Sequence, residues 1–166
     1  MAGVSIRCGL VGDLPELTRI YNHYVRETPV TFDLELFEVE ARRPWFESFA
    51  ASGRHRLLVA EREGRVLGYA CSHRFRVKGA YDQSVETSAY LDPGVLGEGI
   101  GSQLYTALFE ELDGEAVHSA LAGITLPNPA SVALHQRFGF TTVGTFHQVG
   151  YKFDRYWDVQ WFEKSM

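Results

Sequence analysis

The chain of 166 residues is long enough for one domain with a substantial core. Its formal net charge is −5 and it holds no basic run, so the cationic footprint of a nucleic-acid binder is missing. Apolar runs fall far short of a membrane span, and residues 1–12 lack a signal peptide's apolar stretch. Cys8 and Cys71 have no metal-like spacing, and no cluster of histidines suggests a metal site. A cytoplasmic protein with reduced thiols and no bound metal is expected.

Residues 4–8 alternate apolar and polar positions, as a half-buried strand does. Asp13 reads as a helix N-cap with Glu16 in capping-box position, and Leu14, Leu17, Ile20, Tyr21, Tyr24 and Val25 form the apolar face of the helix that follows. Pro29 ends it. A second helical stretch is predicted over residues 36–51, with Pro44 liable to split it. Residues 56–61 and 66–73 form a predicted hairpin turning at Glu63-Gly64, and Gly68 implies a bend or a close neighbour. Residues 85–91 give a further strand. Leu104, Leu108 and Leu112 then mark a helix laid on a sheet, followed by a strand over 117–125. Pro127-Asn128-Pro129 opens a short helix that Gly139 closes, and residues 140–148 and 151–162 form two last strands turning at Gly150. Consecutive strands mixed with helical crossovers predict an α+β domain with a mixed sheet spanning residues 1–166.

Between the 85–91 strand and the leucine-striped helix lie Gly94, Gly97, Gly99 and Gly101. A strand that runs through glycines into a helix N-terminus presents free N–H groups at the positive end of the helix dipole, which suits a phosphate or pyrophosphate. A Walker loop would need a lysine before Ser102. A dinucleotide fingerprint would need G-x-G-x-x-G in the first βα unit. Neither condition is met. Gly99-Ile100-Gly101 does resemble the second half of the acyl-CoA pyrophosphate loop of GNAT N-acyltransferases, although Leu96 stands where that loop usually has Gln or Arg, and Gly97 where this branch often has a basic residue.

Four further segments extend the resemblance across the chain: Asn22-His23-Tyr24 with Thr31-Phe32; Lys78 to Asp82 with Val85 to Tyr90; Leu126 to His135 with Phe138-Gly139-Phe140; and Val149 to Phe153 with Trp157-Asp158-Val159. Together they resemble the phosphinothricin/methionine sulfoximine acetyltransferase branch of the GNAT superfamily. That resemblance implies the GNAT fold, with a mostly antiparallel central sheet flanked by helices. It also implies acetyl-CoA as co-substrate, a small amine as acceptor, and a homodimer; the C-terminal aromatics Tyr156, Trp157, Trp161 and Phe162 line either a dimer contact or the core.

Acyl transfer to an amine requires a base, a held thioester and a stabilised oxyanion. Glu86 lies in an apolar strand, where desolvation would raise its pKa toward a useful range, and it matches the family's base; otherwise it is a solvent-facing strand glutamate. His135 matches a family histidine near the thiol and is either a relay or packing, and Tyr90 is either a donor or core. Arg76 and Lys78 suit the acidic end of a substrate, with Phe32 and Tyr81 as walls implied by the resemblance. The cofactor set is Leu91, Gly97, Gly99, Ile100, Gly101, Ser102, Asn128 and Ser131. Direct attack by the amine is expected, because neither cysteine has an adjacent base or falls in the proposed site. A GNAT enzyme for a polyamine, an aminoglycoside or a protein N-terminus, and a CoA-binding sensor without catalysis, stay open as alternatives.

Overall fold

In a computed structural model, residues 3–166 are described; Met1 and Ala2, which open the stretch read for a leader, lie outside them. Seven strands make one sheet in the order β1-β2-β3-β4-β5-β7-β6. Strands β1 (Ser5–Cys8), β2 (Arg56–Arg62), β3 (Arg65–Arg74) and β4 (Ser84–Leu91) form an antiparallel meander. Helix α3 (Ile100–Leu112) crosses over to β5 (Ser119–Thr125), which lies parallel to β4. A β6 (Thr141–Lys152) and β7 (Arg155–Ser165) hairpin then completes the sheet through β7.

The run Leu57-Leu58-Val59-Ala60 is apolar throughout because β2 is covered on both faces. Leu57 and Val59 pack against Leu17 and Ile20 of α1 (Leu14–Glu27). Leu58 and Ala60 point the other way, against Leu104, Tyr105 and Leu108 of α3. A third cluster joins Val85, Ala120, Ala122, Ile124, Phe140 and Phe162 beneath α4 (Pro129–Arg137). The strand period of two therefore supplies both halves of the core.

Three expectations change. The helix predicted over 36–51 shrinks to a single turn at Glu40–Arg42 and α2 (Arg43–Glu47), because Pro44 offers no N–H and helical bonding restarts there. Asp13 makes no side-chain cap to α1. Its carboxylate reaches back to the Leu10 N–H at 2.7 Å and pairs with Arg7 at 2.7 Å. The last hairpin turns at Phe153-Asp154, both at positive φ (54° and 55°), and Gly150 sits inside β6 opposite Trp157. Gly150 is free of a side chain for another reason: a Cβ there would lie 2.2 Å from the Phe32 ring.

Candidate active site

The β4–β5 ladder has three rungs, Ser84–Ser119, Val85–Ala120 and Glu86–Leu121. Beyond Glu86 the two strands part, and β4 backbone groups lose their β5 partners. Polar backbone groups exposed in this way must find water or a ligand. Glu86 thus stands at the fork, opposite His73 of β3 on its other side. It is partly buried, and it lines a cleft of about 690 Å³ with Ser88 and Tyr90 of β4, Tyr69, Cys71 and His73 of β3, and Arg42 and Trp45 from the α2 region. Burial pushes the Glu86 carboxyl above the ordinary glutamate range, against the opposing pull of His73 and Arg76. A carboxylate whose pKa is raised by burial and that faces a cleft is a candidate proton acceptor.

Tyr90 packs edge-on against Tyr21 (5.1 Å) and Tyr24 (5.3 Å) and lies tilted against Tyr69 (5.6 Å between centroids). Burial holds its phenol protonated, well above its ordinary pKa. Tyr24 donates to the Leu91 carbonyl at 2.7 Å, which fixes the end of β4.

Asp92 then anchors the glycine loop. It is 4% exposed, accepts from the Gly94 N–H at 2.8 Å, and binds Arg19 at 2.6 Å and Arg65 at 3.3 Å. On the far side Glu98 is tied to Arg62 of β2 at 2.7 Å. Gly97 (φ +84°) and Gly99 (φ +78°) take left-handed backbone, which suits glycine, and the space above each is open. The start of α3 faces that opening. The fork, the open glycine turn and the helix N-terminus together fit an extended anionic ligand with a pyrophosphate.

Residues 6–161 match the acetyltransferase (GNAT) domain family. The chain belongs to the GNAT acetyltransferases. It is 53% identical over 167 residues to the phosphinothricin N-acetyltransferase of Streptomyces coelicolor, covering 99% of this chain and 98% of that one. It is 35% identical over 162 residues to the L-methionine sulfoximine/L-methionine sulfone acetyltransferase of Pseudomonas aeruginosa, covering 98% and 94%. Among solved structures, a GNAT superfamily phosphinothricin acetyltransferase from Sinorhizobium meliloti in complex with AcCoA superposes with a TM-score of 0.93 at 29% identity, covering 98% of this chain and 88% of that one.

In this acetyltransferase the other expected site residues spread over four neighbourhoods. Leu91, Ile100, Gly101 and Ser102 border the loop and the start of α3; Ile100 is fully buried, and Ser102 accepts from Arg137 of α4 at 2.9 Å. Asn128 caps α4 by accepting from the Ser131 N–H at 3.1 Å. Arg76, Lys78 and Tyr81 lie on the β3–β4 connection, with Arg76 over the Phe75 ring and Tyr81 edge-on to it. Phe32 packs on Gly150. Neither it nor those three residues lines the cleft with Glu86, although the Arg76 charge reaches Glu86.

His135 lies apart from Glu86. It is 5% exposed, its Nδ1 donates to the Ser131 carbonyl at 2.7 Å, and its Nε2 accepts from the Tyr105 hydroxyl at 2.9 Å. Burial lowers its pKa, which keeps the ring neutral. Nδ1 is spent inside α4 and Nε2 on tying α4 to α3. Cys71 is buried with its thiol pushed up to about 12, the opposite of a nucleophile's environment. Sequence reading missed Arg42, Tyr69 and Trp45. The Trp45 beside Pro44 was a signal, since a bulky aromatic at the start of a short helix has to bury itself somewhere.

Proposed function

We propose that this enzyme transfers the acetyl group of acetyl-CoA to the α-amine of a small amino-acid analogue of the phosphinothricin or methionine sulfoximine/sulfone type. The carrying observation is a partly buried carboxylate with a raised pKa, Glu86, at the fork of β4 and β5 on the wall of a cleft. The names of the Streptomyces and Pseudomonas relatives support the acceptor class.

The thioester supplies an activated acetyl carbon. Backbone N–H groups around Gly97, Gly99, Gly101 and Ser102 receive the pyrophosphate, and the open edge of β4 to Leu91, with Asn128 and Ser131 across the fork, receives the pantetheine arm. Glu86 takes a proton from the substrate ammonium, directly or through one water. The freed amine attacks the acetyl carbon, the C–N bond forms, the C–S bond breaks, and the nitrogen's second proton passes to the leaving thiolate, directly or through water, to give the amide and the CoA thiol. The protonated Tyr90 phenol is the donor assigned to the developing oxygen or sulfur charge. Arg76 meets the α-carboxylate beside the amine, while Lys78, Tyr81 and Phe32 form the outer rim. His135 serves the architecture of α4.

The reading includes a cytoplasmic enzyme, in keeping with the free thiols of Cys8 and Cys71, and a homodimer. The dimer is supported by a run of apolar side chains on the β6–β7 hairpin, Val143, Phe146, Val149, Tyr151, Phe153 and Tyr156, each half exposed or more. Sedimentation at micromolar concentration tests it, and a monomer would remove it. For the activity, the test is thiol release from acetyl-CoA with L-phosphinothricin, L-methionine sulfoximine, L-methionine sulfone, spermidine and a peptide. Turnover of the first three alone is expected. Turnover of spermidine or the peptide alone would refute the acceptor class, and acetyl-CoA binding without any turnover would point to a sensor.

A further inference from the structure

The cleft is lined by an arginine, Arg42, that has no carboxylate at ion-pair distance among the described residues. Arg42 is 5% exposed and stacks between Tyr21 (4.3 Å) and Trp45 (3.9 Å). Among the described residues its guanidinium makes one hydrogen bond, a 3.3 Å contact from Nη1 to the Leu17 carbonyl, and no ion pair. Stacking covers its two faces and leaves the remaining in-plane N–H donors of its edge with no charged acceptor. Beside it lies Tyr69, 1% exposed, whose hydroxyl is next to the Arg42 guanidinium but meets no partner in good hydrogen-bond geometry. A buried hydroxyl without an acceptor is rare and calls for an explanation, and Tyr69 and Arg42 line the same cleft as Glu86.

Resting on the acetyl-transfer reading above, we infer that Arg42 and Tyr69 form a subsite for the oxygen-bearing end of the substrate side chain, the phosphinate, sulfone or sulfoximine oxygens. Position separates this role from that of Arg76. Arg76 lies close enough for its charge to act on Glu86, where the α-carboxylate must sit next to the amine. Arg42 instead acts on Tyr69, Cys71 and Tyr90. Tyr69 pairs with Tyr90, which lies on the same face of β4 as Glu86 and farther along the strand, so a substrate whose amine meets Glu86 can extend its side-chain oxygens toward Arg42 and Tyr69. A planar guanidinium edge with an adjacent hydroxyl is also the donor set that two oxygens on one phosphorus or sulfur require.

The test compares L-phosphinothricin with L-norleucine, which keeps the amine, carboxylate and aliphatic chain but lacks side-chain oxygens. In Tyr69→Phe, which preserves packing, and in Arg42→Met, the KM for phosphinothricin relative to that for norleucine is expected to rise about tenfold or more. A second measurement is independent of turnover: dimethylphosphinate, titrated into the intact enzyme by ³¹P NMR, should bind wild type and lose about tenfold in affinity in Arg42→Met. Unchanged KM ratios in both variants, or dimethylphosphinate binding indifferent to Arg42, overturn the subsite. Arg42-dependent dimethylphosphinate binding in an enzyme that acetylates no amino acid would uphold the subsite and refute the acetyl-transfer reading.

Discussion

Replacing Asp92 with alanine tests whether the glycine loop is held by a buried carboxylate. The side chain caps Gly94 and binds Arg19 and Arg65. Loss of the cap costs about 1 kcal/mol. The two ion pairs add only about 0.5 kcal/mol each, because the Arg19 and Arg65 side chains are 47% and 62% exposed and water screens them. The sum, about 2 kcal/mol, corresponds to a fall in Tm of roughly 4–8 °C for a chain of this size. Asp92→Asn keeps an acceptor for Gly94 and should lose about half as much. Burial opposes ionisation of Asp92, yet the bonds from Arg19, Gly94 and Arg65 outweigh it and hold the carboxyl below the usual aspartate range. A depressed folded pKa gives stability that is present above the unfolded value and is lost as pH falls through the folded one. Thermal melts of wild type and Asp92→Ala should therefore differ at neutral pH and converge in acid, and KM for acetyl-CoA should rise several-fold as the loop loosens. Equal Tm values at neutral pH, or a gap that stays constant down to the acid limit of folding, would refute the anchor.

Gly150→Ala drives a Cβ to 2.2 Å from the Phe32 ring. Overpacking of this kind costs about 1–3 kcal/mol, and KM for the amine should rise while that for acetyl-CoA holds; unchanged stability in a thermal melt would show that Phe32 is free to move. Tyr105→Phe deletes the donor to His135 Nε2 and leaves a buried acceptor unmet, for a loss of about 1–3 kcal/mol by denaturant titration. Wild-type stability in that variant would mean that the imidazole finds another partner, or water.

The glycine loop, its helix and Glu86 were legible because each is local: φ-tolerant residues, a leucine stripe and one carboxylate in an apolar strand. The mixed sheet followed from the alternation of hairpins and crossovers, whereas its order, with β7 between β5 and β6, was not read from the sequence. Gly150 misled because a glycine kept for tertiary contact looks the same in sequence as one kept for a turn; here the turn fell to Phe153 and Asp154. Asp13 misled for a similar reason, since Arg7 and the Leu10 N–H compete for the carboxylate that would otherwise cap α1. Arg42 was invisible because its meaning lies in what it lacks, and an absent counter-ion is a property of packing. His135 shows the limit from the other side. Its family match located it, but only the partners Ser131 and Tyr105 reveal that both nitrogens are occupied.

The central claim is that Glu86 is the base. Its ionised form must act, and burial raises its pKa, so kcat/KM should fall as pH drops through a value above the ordinary glutamate range. The measurement is kcat/KM for acetylation of L-phosphinothricin from about pH 5 to about pH 9, in wild type and Glu86→Gln. The expected result is a loss of roughly 10²–10⁴-fold in Glu86→Gln together with disappearance of the acid limb. A variant with wild-type kcat/KM and the same acid limb would contradict it.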